Sequence, residues 1–162
     1  WLIIGMLGGI GNSMILGNFD ATFAAHPEMA LYIPLIGGTG GNVGTQSSAL
    51  IVQGLANSSL DSKNTLKQVA KEAVVALINA TIISLLVYTY NFIRFGAMAT
   101  VTYSVSISLF AVVMFASIFG TLVPMTLERL KIDPAIATGP FIAITNDIIG
   151  MMLYMGITVL LS

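Results

Sequence analysis

The chain has no cysteine, a single histidine, and only 6 Lys or Arg and 7 Asp or Glu among 162 residues. Without cysteine there is no disulfide framework, thiolate nucleophile or zinc–thiolate site. The one histidine, His26, has no Ser/His, paired-Asp or HExxH constellation to join, so the sequence does not read as an enzyme. A net charge of −1 argues against a nucleic-acid partner, which calls for a basic face. No internal repeat is visible. Charge is the scarcest commodity: 8% of residues carry one, where a soluble domain has about 25%.

What is present is apolar. Hydrophobic residues make up 56% of the chain and the mean hydropathy is +0.93. Such a chain cannot cover its own surface with polar groups, so its solvent is lipid. The nine methionines read as packing fillers rather than ligands. Residues 1–19, 29–60, 73–93 and 95–127 are free of formal charge, and 134–162 is interrupted only by Asp147. A span needs about 20 apolar residues. The pattern therefore predicts an all-α polytopic membrane protein with five transmembrane helices, near 1–19, 28–57, 66–93, 97–124 and 135–161.

The first span is too long and too glycine-rich for a signal-peptide core and has no basic flank. It opens directly at Trp1 with no initiator Met, which reads as a piece cut from a longer protein. Lys63, Lys67, Lys71, Arg129 and Lys131 fall in connections on one side and Arg94 alone on the other. The positive-inside rule then puts the N-terminus in the cytoplasm and the C-terminus outside. The three lysines recur at spacing four behind Asp61, on one helical face, where they read as a turn snorkelling to lipid headgroups.

Two polar features interrupt the apolar runs. Asp147 is the one formal charge deep within a predicted span. A carboxylate there costs roughly 3 kcal/mol or more and is a functional-site hypothesis by default. No Lys or Arg lies deep enough to pair with it, and His26 falls near an outer loop. What is left is a cation or proton pathway, or a protonated structural acid. Ile136, Pro140, Ala143, Asp147 and Tyr154 share one stripe at about 100° per residue. Pro140 opens the backbone or merely kinks it, and Ala143 leaves room or merely permits packing. The second feature is "GGTGGNVGTQSS", residues 37–48. Its glycines form the pairs Gly37/Gly41 and Gly40/Gly44, which permit close helix contact. Asn42, Gln46 and Gln53 offer uncharged oxygens on a common face, as ion-facing groups or as interhelical glue.

Taken together, "PLIGGTGGNVGTQSSALIVQGLA" and "DPAIATGPFIAITNDIIGMMLYMGI" resemble the membrane domain of the MgtE family of magnesium transporters. The resemblance covers essentially the whole chain: the opening "WL", the signature from Pro34 to Ser47, and the series from Asp133 through Gly139-Pro140 to Asp147. It implies one transmembrane cation-transport domain over 1–162, working as a homodimer in a bacterial inner or plasma membrane with the pore at the dimer interface. Asp147 of both chains would hold a hydrated Mg2+, and the Ala143 carbonyl would hold its waters. Asn42, Gln46, Gly41 and Pro140 would line the path. Members of the family also carry cytosolic N and CBS domains ahead of the membrane part, and no such domains are in this chain.

Mg2+ is hard, octahedral and slow to shed water, so one carboxylate from each of two chains suits it. The lack of soft ligands disfavours Zn2+ and Cu+ but leaves Mn2+, Co2+ and Ni2+ as lesser candidates. Two other readings stand beside a channel: an exchanger coupled to H+ or Na+, and a non-transporting scaffold in which Asp147 is protonated and structural.

Overall fold

The computed structural model describes residues 1–137 and 139–162. Its elements are α1 (Leu2–Gly17), α2 (Asp20–Ala25), α3 (Ile33–Ala56), α4 (Thr65–Phe95), α5 (Thr100–Arg129) and α6 (Pro140–Leu161), with short 3-10 turns at Pro27–Tyr32, Ser62–Asn64 and Pro134–Ala137. No strand occurs among the described residues. Three helices, α4, α5 and α6, are long and apolar enough to cross a membrane. In α1 the apolar run is helical for only 16 residues, about 24 Å against a hydrocarbon core of about 30 Å. In α3 the length is ample at 24 residues, but glycine, threonine and amides dilute its hydropathy.

Several boundaries moved for local reasons. The helix expected over 28–57 begins as a 3-10 turn, and the α-helix starts at Ile33 with Pro34 in its first turn. Proline fits there because the first helical N–H groups have no partner to lose. The helix expected to stop at 124 runs through Pro124 to Arg129. Pro124 has no N–H to give, so the Gly120 carbonyl one turn earlier loses its helical donor while the helix runs on. At the other end of the bundle α4 stops at Gly96, whose φ of +89° suits glycine. The helix expected over 135–161 crosses position 138, which lies outside the described residues. Its α-helical part starts at Pro140, after Gly139 at φ +54°. The short α2 was not expected.

The centre of the bundle is α5, which packs on α4, α3 and α6, while α1 packs on α6. Of its most apolar window 56% is buried, against 11% for α4. Lipid is as apolar as leucine, so burying side chains gives little drive for helices to meet, and small residues and hydroxyls take over. The buried face of α5 accordingly carries Ser104, Ser106, Ser108, Ser117 and Thr121 beside Val105, Leu109 and Val112. The hydroxyls of Ser104 and Thr158 lie 2.8 Å apart across the α5/α6 seam. The Ser84 hydroxyl of α4 donates to the Ser106 carbonyl.

One polar tie sets the start of α3 against the rest. Tyr32, in the 3-10 turn, donates to Asn91 Oδ1 of α4, and Asn91 Nδ2 donates to the Val101 carbonyl of α5 at 3.4 Å. Tyr154 of α6, fully buried, donates to the Met29 carbonyl at 2.7 Å. The turn is thereby fixed to three helices, and α3 leaves it at a defined angle to α6.

Candidate cation site

The two GxxxG registers of α3 face different neighbours. Gly40 and Gly44 are buried. A Cβ at Gly40 would sit 2.8 Å from Val112 Cγ1 of α5, and one at Gly44 would overlap the Asn146 side chain and lie 2.9 Å from Ile142 Cγ2 of α6. These two are the close-packing seam. Gly37 and Gly41 instead face Asp147: a Cβ at either would stand 3.6 or 3.5 Å from its Oδ1. Their lack of side chains is what keeps open a cavity of about 330 Å3 between α3 and α6.

Ile33, Gly37, Gly38, Gly41, Asn42 and Thr45 of α3 line that cavity, opposite Ala143, Asp147 and Met151 of α6. Each set steps by about four residues, so each forms a stripe along its helix. Asp147 is half-buried, and no basic side chain is among the lining residues. The oxygens available are the Asp147 carboxylate, the Asn42 amide, the Thr45 hydroxyl and backbone carbonyls. The Thr45 hydroxyl donates to the Gly41 carbonyl at 2.8 Å. Its lone pairs stay available to accept from water. The Ala143 carbonyl lies inside the continuous α6, and a carbonyl engaged in a helix still has a second lone pair to offer a water. Among the described residues no group of three or more His, Cys, Asp or Glu could hold a metal ion. One chain presents one carboxylate here.

The structure thus brings Asp147, Ala143, Gly41 and Asn42 to one cavity. It does not bring Gln46 or Pro140 there. Gln46 lines a smaller cavity of about 120 Å3 with Glu72 and Asn79, between α3, α4 and α5. It follows Gly41 by five residues, about 140° round the helix axis, which carries it past the stripe. Pro140 is exposed at the first turn of α6. On the other side, α1 contributes a residue that sequence reasoning missed. Asn12 lines the Asp147 cavity and also a neighbouring one of about 80 Å3 that Asp147 shares. Its Oδ1 is buried with no hydrogen-bond partner, so it is an acceptor without a donor. The available signal was one amide in the middle of an otherwise apolar helix, where a polar side chain needs a reason. Gly8 lets α1 approach that closely, since a Cβ there would meet Ile144 Cγ2 at 2.5 Å.

A bundle with several membrane-length helices and an acidic, oxygen-lined cleft of this kind is a polytopic helical membrane protein with the chemistry of cation handling. The chain belongs to the MgtE family, whose model, described as a divalent cation transporter, matches residues 33–157. It is a family of transporters, not enzymes. The chain is 34% identical over 161 residues to the magnesium transporter MgtE of Thermus thermophilus, covering 99% of this chain and 35% of that protein. It is 31% identical over 157 residues to the magnesium transporter MgtE of Bacillus subtilis, covering 97% and 35%. A third relative, the magnesium transporter MgtE of Enterococcus faecalis, is 27% identical over 163 residues, with 97% and 34% covered. The chain spans about a third of the length of these curated relatives.

Proposed function

We propose that residues 1–162 form the ion-conducting membrane unit of a magnesium transporter, and that Mg2+ crosses beside Asp147 with most of its water retained. The observation that carries this is the pairing of a half-buried, chargeless-neighboured carboxylate with two facing glycines, Gly37 and Gly41. A carboxylate that faces space rather than a cationic partner supports an ion site, and an ion that keeps its waters needs that space. A single acid per chain supports a homodimer in which two Asp147 carboxylates share one hydrated ion across a two-fold axis. The oxygens of Asn42, Thr45 and Ala143 then accept from the ion's water shell.

Five spans follow if α1 and α3 cross with the other three. The outer face of α1 supports this, because Leu2, Ile3, Leu7 and Met14 are all more than half exposed, a cost that lipid or a second copy removes. With five spans, the Lys-rich ends of α4 and α5 lie in the cytoplasm, with the N-terminus.

The test is Asp147→Asn, which keeps the shape and removes the charge. In proteoliposomes carrying a Mg2+-sensitive dye, flux down a Mg2+ gradient should fall to the protein-free rate while the variant elutes as the same oligomer as wild type. Undiminished flux would remove Asp147 from the path. Wild-type flux that requires an opposing H+ or Na+ gradient would replace the channel by an exchanger.

A further inference from the structure

A cavity of about 460 Å3 lies away from the Asp147 cleft, where α4 begins and α5 ends. Its rim is cationic: Lys63, Lys67 and Arg129 line it, and among the described residues no acid does. Its wall is apolar, made by Leu66, Val69 and Leu122. Lys63, in the 3-10 turn, and Lys67, in the first turn of α4, are both exposed. Arg129 Nη2 donates to the Lys63 carbonyl at 2.9 Å, which fixes the guanidinium at the rim. Asp61, two residues before Lys63, accepts from the Lys63 N–H at 2.9 Å and lines a separate, neighbouring cavity with Lys67 and Lys71. Leu66 is itself 83% exposed at the cavity, and farther along α4 Val74, Ile78 and Leu85, about 80–120° round the helix from it, are all more than half exposed.

A cationic rim set over an apolar wall, at the end of a helix that faces lipid, matches an amphiphile with an anionic head. A soluble anion would leave the wall wet, and a neutral lipid would leave the lysines unanswered. We propose that this cavity binds an anionic phospholipid, its phosphate between Lys63 and Lys67 beside Arg129 and the start of one acyl chain along Leu66, Val69 and Leu122. Lysines near a membrane surface attract anionic lipid additively, and the fixed guanidinium adds a planar donor suited to phosphate. The proposal rests on α4 and α5 spanning the membrane. It does not depend on which ion is carried or on the role of Asp147.

Native mass spectrometry of the detergent-purified chain, titrated with phosphatidylglycerol or phosphatidylcholine, tests it. Wild type should retain phosphatidylglycerol selectively, and Lys63→Gln with Lys67→Gln should weaken that retention about twenty-fivefold, each lysine contributing about a factor of five. Both lysines are exposed, and an unchanged melting temperature will show that the double variant is folded. Leu66→Gln keeps every charge, and it should also weaken retention. Equal retention of the two lipids, an unaffected double variant, or an unaffected Leu66→Gln would each overturn the proposal. Displacement of the lipid by glycerol 3-phosphate alone would overturn it too, in favour of a site for a soluble phosphate.

Discussion

Gly120→Ala probes a close approach of α5 to the main chain of α3. A Cβ at Gly120 would stand 2.5 Å from the Gly44 carbonyl oxygen of α3 and 3.1 Å from Ser47 Cβ. Carbon and a carbonyl oxygen meet at roughly 3.3 Å, so the overlap is about 0.8 Å. The obstacle is main chain and cannot swing aside, so α3 and α5 must separate by about that distance. Overpacking of this kind costs about 1–3 kcal/mol, and a rigid obstacle puts the cost near the top of the range. Alanine returns about 1 kcal/mol through its higher helix propensity. A net loss of about 2 kcal/mol corresponds to a melting temperature lower by about 4–8 °C in a chain of this length. Gly11→Ala is the control, since a Cβ there meets nothing within 4 Å, and the propensity gain should appear unopposed. Thermal unfolding of both variants in one detergent, followed by helical circular dichroism, measures the difference. If Gly120→Ala melts with wild type or above it, the helices are not packed as described and the seam reasoning fails.

Three further expectations concern the cleft and its support. Gly41→Ala places a methyl at an ordinary contact distance of 3.5 Å from Asp147 Oδ1, so it should fold normally yet slow Mg2+ flux severalfold by narrowing the cavity; full flux would show that the ion does not pass between Gly41 and Asp147. Asn12→Leu removes a buried acceptor that has no partner in the fold; stability should hold or rise while flux falls, and a fall in melting temperature with flux intact would make Asn12 structural. Tyr154→Phe leaves the buried Met29 carbonyl without its 2.7 Å donor and should cost about 1–3 kcal/mol, read as a melting temperature lower by several degrees, with no loss if the tie is not formed.

The sequence showed most plainly what repeats. The run ahead of Arg94 carries no formal charge from residue 73 onward, and the predicted helix over 66–93 differs from Thr65–Phe95 by a residue or two at each end. The acid in α6 and the small residues opposite it were equally legible, because a lone charge in an apolar run has few explanations. Relations between helices were hidden. Asn42 and Gln46 share a face in isolation, yet α6 covers only the arc centred on Gly41, so Gln46 turns toward Glu72 and Asn79 instead. Asn12 drew no notice because its meaning depends on α1 lying against α6. The two glycine pairs looked alike as spacing. Only the neighbours, Val112 and Asn146 for one and a carboxylate for the other, tell a packed seam from an open cleft.

The hydroxyls of these helices carry a consequence for how the chain is made. Thr81, Thr89, Thr145 and Thr158 each donate to the carbonyl one turn earlier, at 2.7–2.9 Å, as Ser106 does to Thr102. A hydroxyl satisfied by its own helix needs no partner in lipid, whereas Ser84, Asn91 and Ser104 find theirs across the seams between helices. The least apolar long helix, α3, has its glycines and amides still waiting for partners, and the ribosome delivers it before α4, α5 and α6. Gly40 and Gly44 of α3 pack against Val112 of α5 and Asn146 and Ile142 of α6, so the tightest seam of the bundle can close only after its last helix has been made.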